Sequence, residues 1–267
     1  MDAFALERLL EAVRAGEVEP AVAAERLRQA PLEEVGDFAT VDLQRGLRCG
    51  FPEVIFGQGK TPPQIAAILN TLVSNGQGGL ATRLSPEALR HLIEVYPHGV
   101  ANPVARTFRL LGPDANDPKL GRVVVVTAGT SDLPVAEEAR VTAEAWNCEV
   151  TLIADVGVAG IHRLFHRLKD MADADVIVAV AGMEAALPSV LGGLVDCPVI
   201  AVPTSIGYGA HFHGLAALLG MLNSCSSNVV VTNIDSGFNG GHVAGLIARR
   251  VGQARTLAPQ KDSVHVS

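Results

Sequence analysis

Large rings are scarce in this chain. Aromatic residues fill only 4% of its 267 positions and charged residues 18%, against 48% hydrophobic. A core built without rings must be filled by Val, Ala, Leu and Ile. The 27 glycines allow close backbone approach, and that mix suits βα units whose helices lie tightly on a sheet. A surplus of positive charge is also missing. The net charge is −7, which argues against the basic face that nucleic-acid binding needs. No uninterrupted apolar run reaches the roughly 18 residues of a membrane span. The most apolar stretch, Val176 to Val202, is broken by Glu184, Pro188, Asp196 and Pro198. The N-terminal residues MDAFALERLLEAVRAGEVEP read as a charged helix, not a signal peptide. The expectation is a soluble, cytoplasmic protein with no membrane and no nucleic-acid partner.

Several catalytic signatures are absent as well. The four cysteines, Cys49, Cys148, Cys197 and Cys225, form no C-x-x-C pair, which argues against a zinc site or a disulfide framework. Gly57-Gln58-Gly59-Lys60-Thr61 ends like a phosphate-binding P-loop, but the pattern needs glycine at position 54, which is Val54. Lys60 is kept only as a candidate anion contact. No G-x-S-x-G elbow occurs, and no G-x-G-x-x-G fingerprint follows the first strand of the second half, so an ordinary Rossmann dehydrogenase is disfavoured.

What is present divides in two. Residues 1–117 read as a smaller α+β domain. Two short helices (Asp2 to Arg14, Pro20 to Gln29) precede short apolar runs, a helix opened by Pro62 and Pro63, a strand in LATRL, and a helix capped by Ser85. The turn-rich segment GPDANDPKL marks the boundary. In residues 118–253, apolar runs begin at Val123, Val150, Val176, Val199 and Val229 with helical spacing between them. That alternation predicts a five-stranded, doubly wound parallel sheet in a three-layer αβα domain of flavodoxin-like type. Residues 254–267 read as a loose, flexible tail.

In such sheets ligands bind beyond the carboxyl ends of the strands. Those ends supply Gly129, Thr130, Ser131 and Asp132; His162 and Arg163; Gly182, Met183 and Glu184; Ser205 and Gly207; and Asn239. Glycines and hydroxyls at a helix start can hold a phosphate, although Ser131 or Asp132 serves equally as a helix cap. Glu184 suits a helix dipole as well as a substrate. Together these ends predict a site for a nucleotide or sugar phosphate.

The same strand ends resemble the PurE family of carboxylating mutases over about 130 residues. Gly129-Thr130-Ser131-Asp132, Gly160-Ile161-His162-Arg163, Ala181 to Pro188 and Pro198 to Pro203 carry the likeness. Two departures matter. The family's histidine before Leu-Pro is Ala186 here, and its Gln-Met-Pro-Gly-Gly loop becomes Asn223-Ser224-Cys225-Ser226-Ser227. With the extra N-terminal domain, these changes resemble the LarB family of nickel-pincer cofactor biosynthesis. The stretches Asp155 to Arg163, Gly182-Met183-Glu184, Asn223-Ser224-Cys225 and Asn233 to Gly241 all fit it.

That resemblance implies carboxylation of the pyridinium ring of nicotinic acid adenine dinucleotide by carbon dioxide. It also implies hydrolysis of the phosphoanhydride, giving pyridinium-3,5-biscarboxylic acid mononucleotide and AMP. A thiolate is needed because an electron-poor ring does not attack carbon dioxide unaided. Cys225 is the candidate nucleophile and Glu184 the candidate base, although a free cysteine commonly serves as small apolar filler. Mg²⁺ is expected, without named ligands, and no tightly bound organic cofactor. Cys225 falls before a strand, on the rim opposite Gly129. A homo-octamer built from dimers, with composite sites, resolves this. The alternatives are an aminoimidazole ribonucleotide carboxymutase and a non-catalytic nucleotide-sensing module.

Overall fold

The computed structural model describes residues 3–28 and 32–257. The chain forms two compact units, residues 1–116 and 117–267. The first unit begins with α1 (Ala3–Arg14), α2 (Pro20–Arg28) and an antiparallel hairpin of β1 (Leu32–Val35) and β2 (Ala39–Asp42). It continues through α3 (Arg45–Cys49), β3 (Val54–Phe56), α4 (Pro62–Ser74), β4 (Gly79–Thr82), α5 (Pro86–Val95), β5 (Val100–Asn102) and β6 (Thr107–Leu110). The last four strands form a mixed sheet in the order β3-β4-β6-β5, with only β3 and β4 parallel. Proline opens α4 and α5, where its missing N–H costs nothing. Gln64 Oε1 accepts from Thr61 N at 2.9 Å, and Ser85 Oγ accepts from Ala88 N at 3.0 Å. Ile65, Leu69, Leu72, Leu92 and Phe108 are buried between helices and sheet.

The second unit alternates strand and helix. Its elements are β7 (Arg122–Thr127), α6 (Leu133–Ala145), β8 (Glu149–Ile153), α7 (Ile161–Arg167), β9 (Val176–Ala181), α8 (Leu187–Gly192), β10 (Val199–Pro203), α9 (Leu215–Leu222), β11 (Val229–Val231) and α10 (Gly237–Leu257). All pairings are parallel, in the order β11-β10-β9-β7-β8. This is the flavodoxin-like arrangement, whose order reverses between β7 and β9. Every residue of the central strand β9 is buried, which explains its continuously apolar sequence.

Helices α7, α8 and α9 cover one face, packing Leu164, Leu187, Leu191, Ala217 and Met221 on Val124, Val126, Ile177 and Ala179. On the other face α10 lies almost in backbone contact with α6. A Cβ at Gly241 would stand 2.2 Å from Ala139 O, and one at Gly245 would stand 2.4 Å from the Trp146 ring. Helix α10 runs on through Leu257. Residues 254–257, read from sequence as loose, are therefore helical, and residues 258–267 lie outside the described residues. Among the described residues no helix is long and apolar enough to cross a membrane.

Candidate functional site

The carboxyl ends of β7, β8, β9 and β10 surround an open cavity of about 580 Å³. Main-chain bonds tie the four loops together. Gly157 N donates to Ala128 O at 2.8 Å, Ala128 N to Val180 O at 3.0 Å, and Met183 N to Ile206 O at 2.9 Å. Gly182 is required here, because a Cβ would lie 2.3 Å from Ile206 O and 2.6 Å from Thr204 Oγ1. Asp155, Met183 and Ala185 hold left-handed backbone near φ 60°, 54° and 55° on this rim. Such strain persists only where surrounding contacts impose it.

Asp132 sits beneath the cavity and is buried. Its Oδ2 accepts from Gly129 N at 2.9 Å, and its Oδ1 accepts from Thr204 Oγ1 at 2.7 Å. Burial pushes its carboxyl above the usual Asp range, and the charge of Asp235 adds to this. Hydrogen bonds from Thr204, Gly129 and Gly182 oppose it. Asp132 is thus a structural anchor for three loops as well as part of the wall. Arg163 lines the cavity from α7 and pairs through Nη1 with Asp155 Oδ2. Both partners are about half exposed, so the guanidinium can turn to an incoming anion.

Of the sequence candidates, Gly129, Ser131, Asp132, Arg163, Gly182, Met183, Glu184 and Gly207 line this cavity. Thr130 and His162 are exposed beside it but do not line it. Ser205 lies beneath the rim, its N donating to Asp235 Oδ1 at 2.8 Å. Asn239 is exposed on the first turn of α10, away from the wall. Lys60 belongs to the first unit, where its Nζ donates to Phe56 O at 3.0 Å. Asp155, Gly157, Ile206 and Tyr208 also line the wall and escaped the sequence reading as site residues. Each follows a strand end, which was the available signal.

Cys225 is exposed and does not line the cavity. It follows α9 and precedes β11, on the amino-end rim of the sheet. The loop is nevertheless tied to α8. Ser189 Oγ donates to Ser224 Oγ at 2.8 Å, and Ser226 Oγ donates to Ser189 O at 2.8 Å. Ser189 lies on α8, the helix that begins at the cavity-lining Leu187. The other second-unit cysteines are buried. Burial pushes the Cys148 thiol up to about 11 and raises that of Cys197, which suits structural roles.

Among the described residues no three or more His, Cys, Asp or Glu side chains are placed to share a cation. Three carboxylates line the cavity. Asp132 accepts hydrogen bonds at both oxygens and Asp155 is paired with Arg163, which leaves Glu184 at the mouth. These residues do not form a resident Mg²⁺ site.

An uncharacterized protein of Methanocaldococcus jannaschii is 41% identical over 252 residues, 91% of this chain and 97% of its own length. The N5-carboxyaminoimidazole ribonucleotide mutase of the same organism is 35% identical over 121 residues, 44% of this chain and 72% of that protein. A probable N5-carboxyaminoimidazole ribonucleotide mutase of Methanothermobacter thermautotrophicus is 29% identical over 137 residues, 47% of this chain and 37% of that protein. Residues 32–111 match the LarB/PurE-like N-terminal domain, and residues 122–261 match the AIR carboxylase family. With both matches in one chain, cavity and thiol loop included in the second, the chain belongs to the LarB family and carries a PurE-like carboxylase domain.

Proposed function

We propose that this protein carboxylates the pyridinium ring of nicotinic acid adenine dinucleotide and hydrolyses its phosphoanhydride, giving pyridinium-3,5-biscarboxylic acid mononucleotide and AMP. The observation that carries this reading is the cavity wall at Glu184 and Ala186. Ala186 lines the cavity where the purine-pathway mutases have a histidine, and Glu184 stands two residues before it. A mutase lacking that imidazole loses its acid–base group, whereas ring carboxylation needs only a carboxylate to take the ring proton.

Arg163 and the main-chain N–H groups of Thr130 and Ser131 hold the phosphates. The Cys225 thiolate adds to the ring carbon beside the one to be carboxylated and breaks aromaticity. The resulting enamine carbon attacks carbon dioxide. Glu184 removes the displaced ring proton, and the thiolate leaves as aromaticity returns. Water cleaves the phosphoanhydride. Mg²⁺ would be brought by the substrate rather than held by the protein and would offset charge as the phosphoanhydride breaks; the reading needs no tightly bound organic cofactor.

Cys225 does not line the cavity of its own chain, so the thiol comes from a second copy. The face beside it supports this. Leu215, Leu219 and Leu222 are exposed at intervals of four and three along α9, and Val230 is exposed on the edge strand β11. An apolar stripe of this kind suits burial against another subunit. A homo-octamer built from dimers is the assembly we propose. The test is mass spectrometry after mixing the protein with nicotinic acid adenine dinucleotide, Mg²⁺ and bicarbonate. The expected products are AMP and a mononucleotide carrying one added carboxyl group. Recovery of unchanged dinucleotide refutes the proposal.

A further inference from the structure

The cavity wall carries polar and charged groups at Ser131, Asp132, Asp155, Arg163 and Glu184. It also carries three large apolar side chains that the fold leaves in solvent. Met183 is 37% exposed, Ile206 41% and Tyr208 78%. Apolar side chains gathered at the mouth of a polar cavity mark the place where a ligand's apolar portion rests.

Tyr208 stands out among the three. Its ring is the only aromatic one in the wall. The loop that carries it is fixed at both ends. Ile206 O accepts from Met183 N at 2.9 Å, and His211 O accepts from Gly214 N and Ala216 N at 3.1 Å each. Between those anchors Tyr208, Gly209 and Ala210 are exposed. Gly209 turns at φ 63° with nothing within 4 Å of where a Cβ would be. The phenol ring is thus held over the mouth on a short glycine-flanked tether, without a core to fill.

The geometry points to Tyr208 as the side chain that stacks on the substrate's pyridinium ring, with Arg163 holding the phosphate. This rests on the proposed reaction and names the contact that selects its ring. A pyridinium is cationic and planar, and the face of a phenol attracts a cation. The attraction weakens when the thiolate adds, because the ring then loses its positive charge. Tyr208 therefore contributes to ground-state binding rather than to the chemical step, and its loss raises KM without lowering kcat.

The test is calorimetric titration of the full-length protein with three probes: nicotinic acid mononucleotide, its 1,4-dihydro form, whose ring nitrogen is uncharged, and ribose 5-phosphate. Wild type is expected to bind the cationic ring about tenfold more tightly than either other probe. Tyr208→Ala erases that preference and leaves ribose 5-phosphate binding unchanged; Tyr208→Phe, which keeps the ring face, restores it. A preference that survives in Tyr208→Ala overturns the inference. So does equal weakening of ribose 5-phosphate, or wild type that binds none of the probes. None of these readouts depends on turnover. A protein that leaves the dinucleotide unchanged but shows the Tyr208-dependent preference sinks the proposed reaction and keeps the stacking contact.

Discussion

Thr204 Oγ1 donates to Asp132 Oδ1 at 2.7 Å, joining residues 72 positions apart in sequence. The bond links the loop after β10 to the turn after β7, and Asp132 also accepts from Gly129 N. Both partners are buried. The cavity floor is therefore held by a carboxylate whose charge is expensive to bury.

That cost sets a pH dependence. Burial raises the Asp132 carboxyl above its ordinary range, so the folded protein holds this proton more tightly than the unfolded chain does. The stability Asp132 contributes is full below the unfolded pKa and is lost as pH rises through the folded one. Asp132→Asn keeps an acceptor for Gly129 N and removes the titration. Urea unfolding of both proteins from neutral pH down to about 4 should show wild type gaining on the variant as the pH falls. Parallel curves would contradict the assignment.

Arg163 and Asp155 form an exposed pair, which contributes less than about 1 kcal/mol to the fold. Arg163→Ala should leave the melting temperature nearly unchanged. It should raise KM for the dinucleotide about tenfold or more, because a charge-assisted phosphate contact is lost and Asp155 is left facing the anion. Arg163→Lys should recover only part of this, since the ammonium lacks the planar fork. A normal KM in Arg163→Ala would move the phosphate elsewhere.

Cys225 is exposed, so Cys225→Ala should fold with unaltered stability and lose carboxylation. The composite-site reading adds a sharper expectation. Copies carrying Cys225→Ala, co-assembled with copies carrying Glu184→Gln, should regain activity that neither shows alone. Failure to complement, with mixed assemblies demonstrated, would place thiol and cavity in one chain.

Gly241 meets the Ala139 carbonyl where a Cβ would stand. Main chain cannot turn aside as a flexible side chain can. Gly241→Ala should force α10 away from α6 and cost about 1–3 kcal/mol, read as a lowered thermal midpoint. An unchanged midpoint would mean that the helices can separate freely.

The strands of the second unit were legible because both faces of the sheet are covered, so each appears as an unbroken apolar run. Val123, Val176 and Val199 lie within β7, β9 and β10. The four-residue β6 and three-residue β5 carry too short a pattern to announce themselves. Arg163 was legible as a residue, but its pairing with Asp155 depends on a left-handed turn at Asp155 that spacing does not encode. Tyr208 went unread because an exposed ring between glycines has no periodicity. Ser205 and Asn239 sit in glycine-rich strand ends, yet the chain turns them away from the wall.

Trp146 is the only tryptophan in the chain and is 1% exposed. Its ring lies 5.0 Å from that of His242, centroid to centroid, and its Nε1 donates to His242 Nδ1 at 3.3 Å. Gly245 comes close enough that any side chain there would strike the indole. The molecule therefore carries a native fluorophore at the seam between α6 and α10, on the face of the sheet away from α7 and α8. Its emission reports the seating of the last helix without any ligand being added.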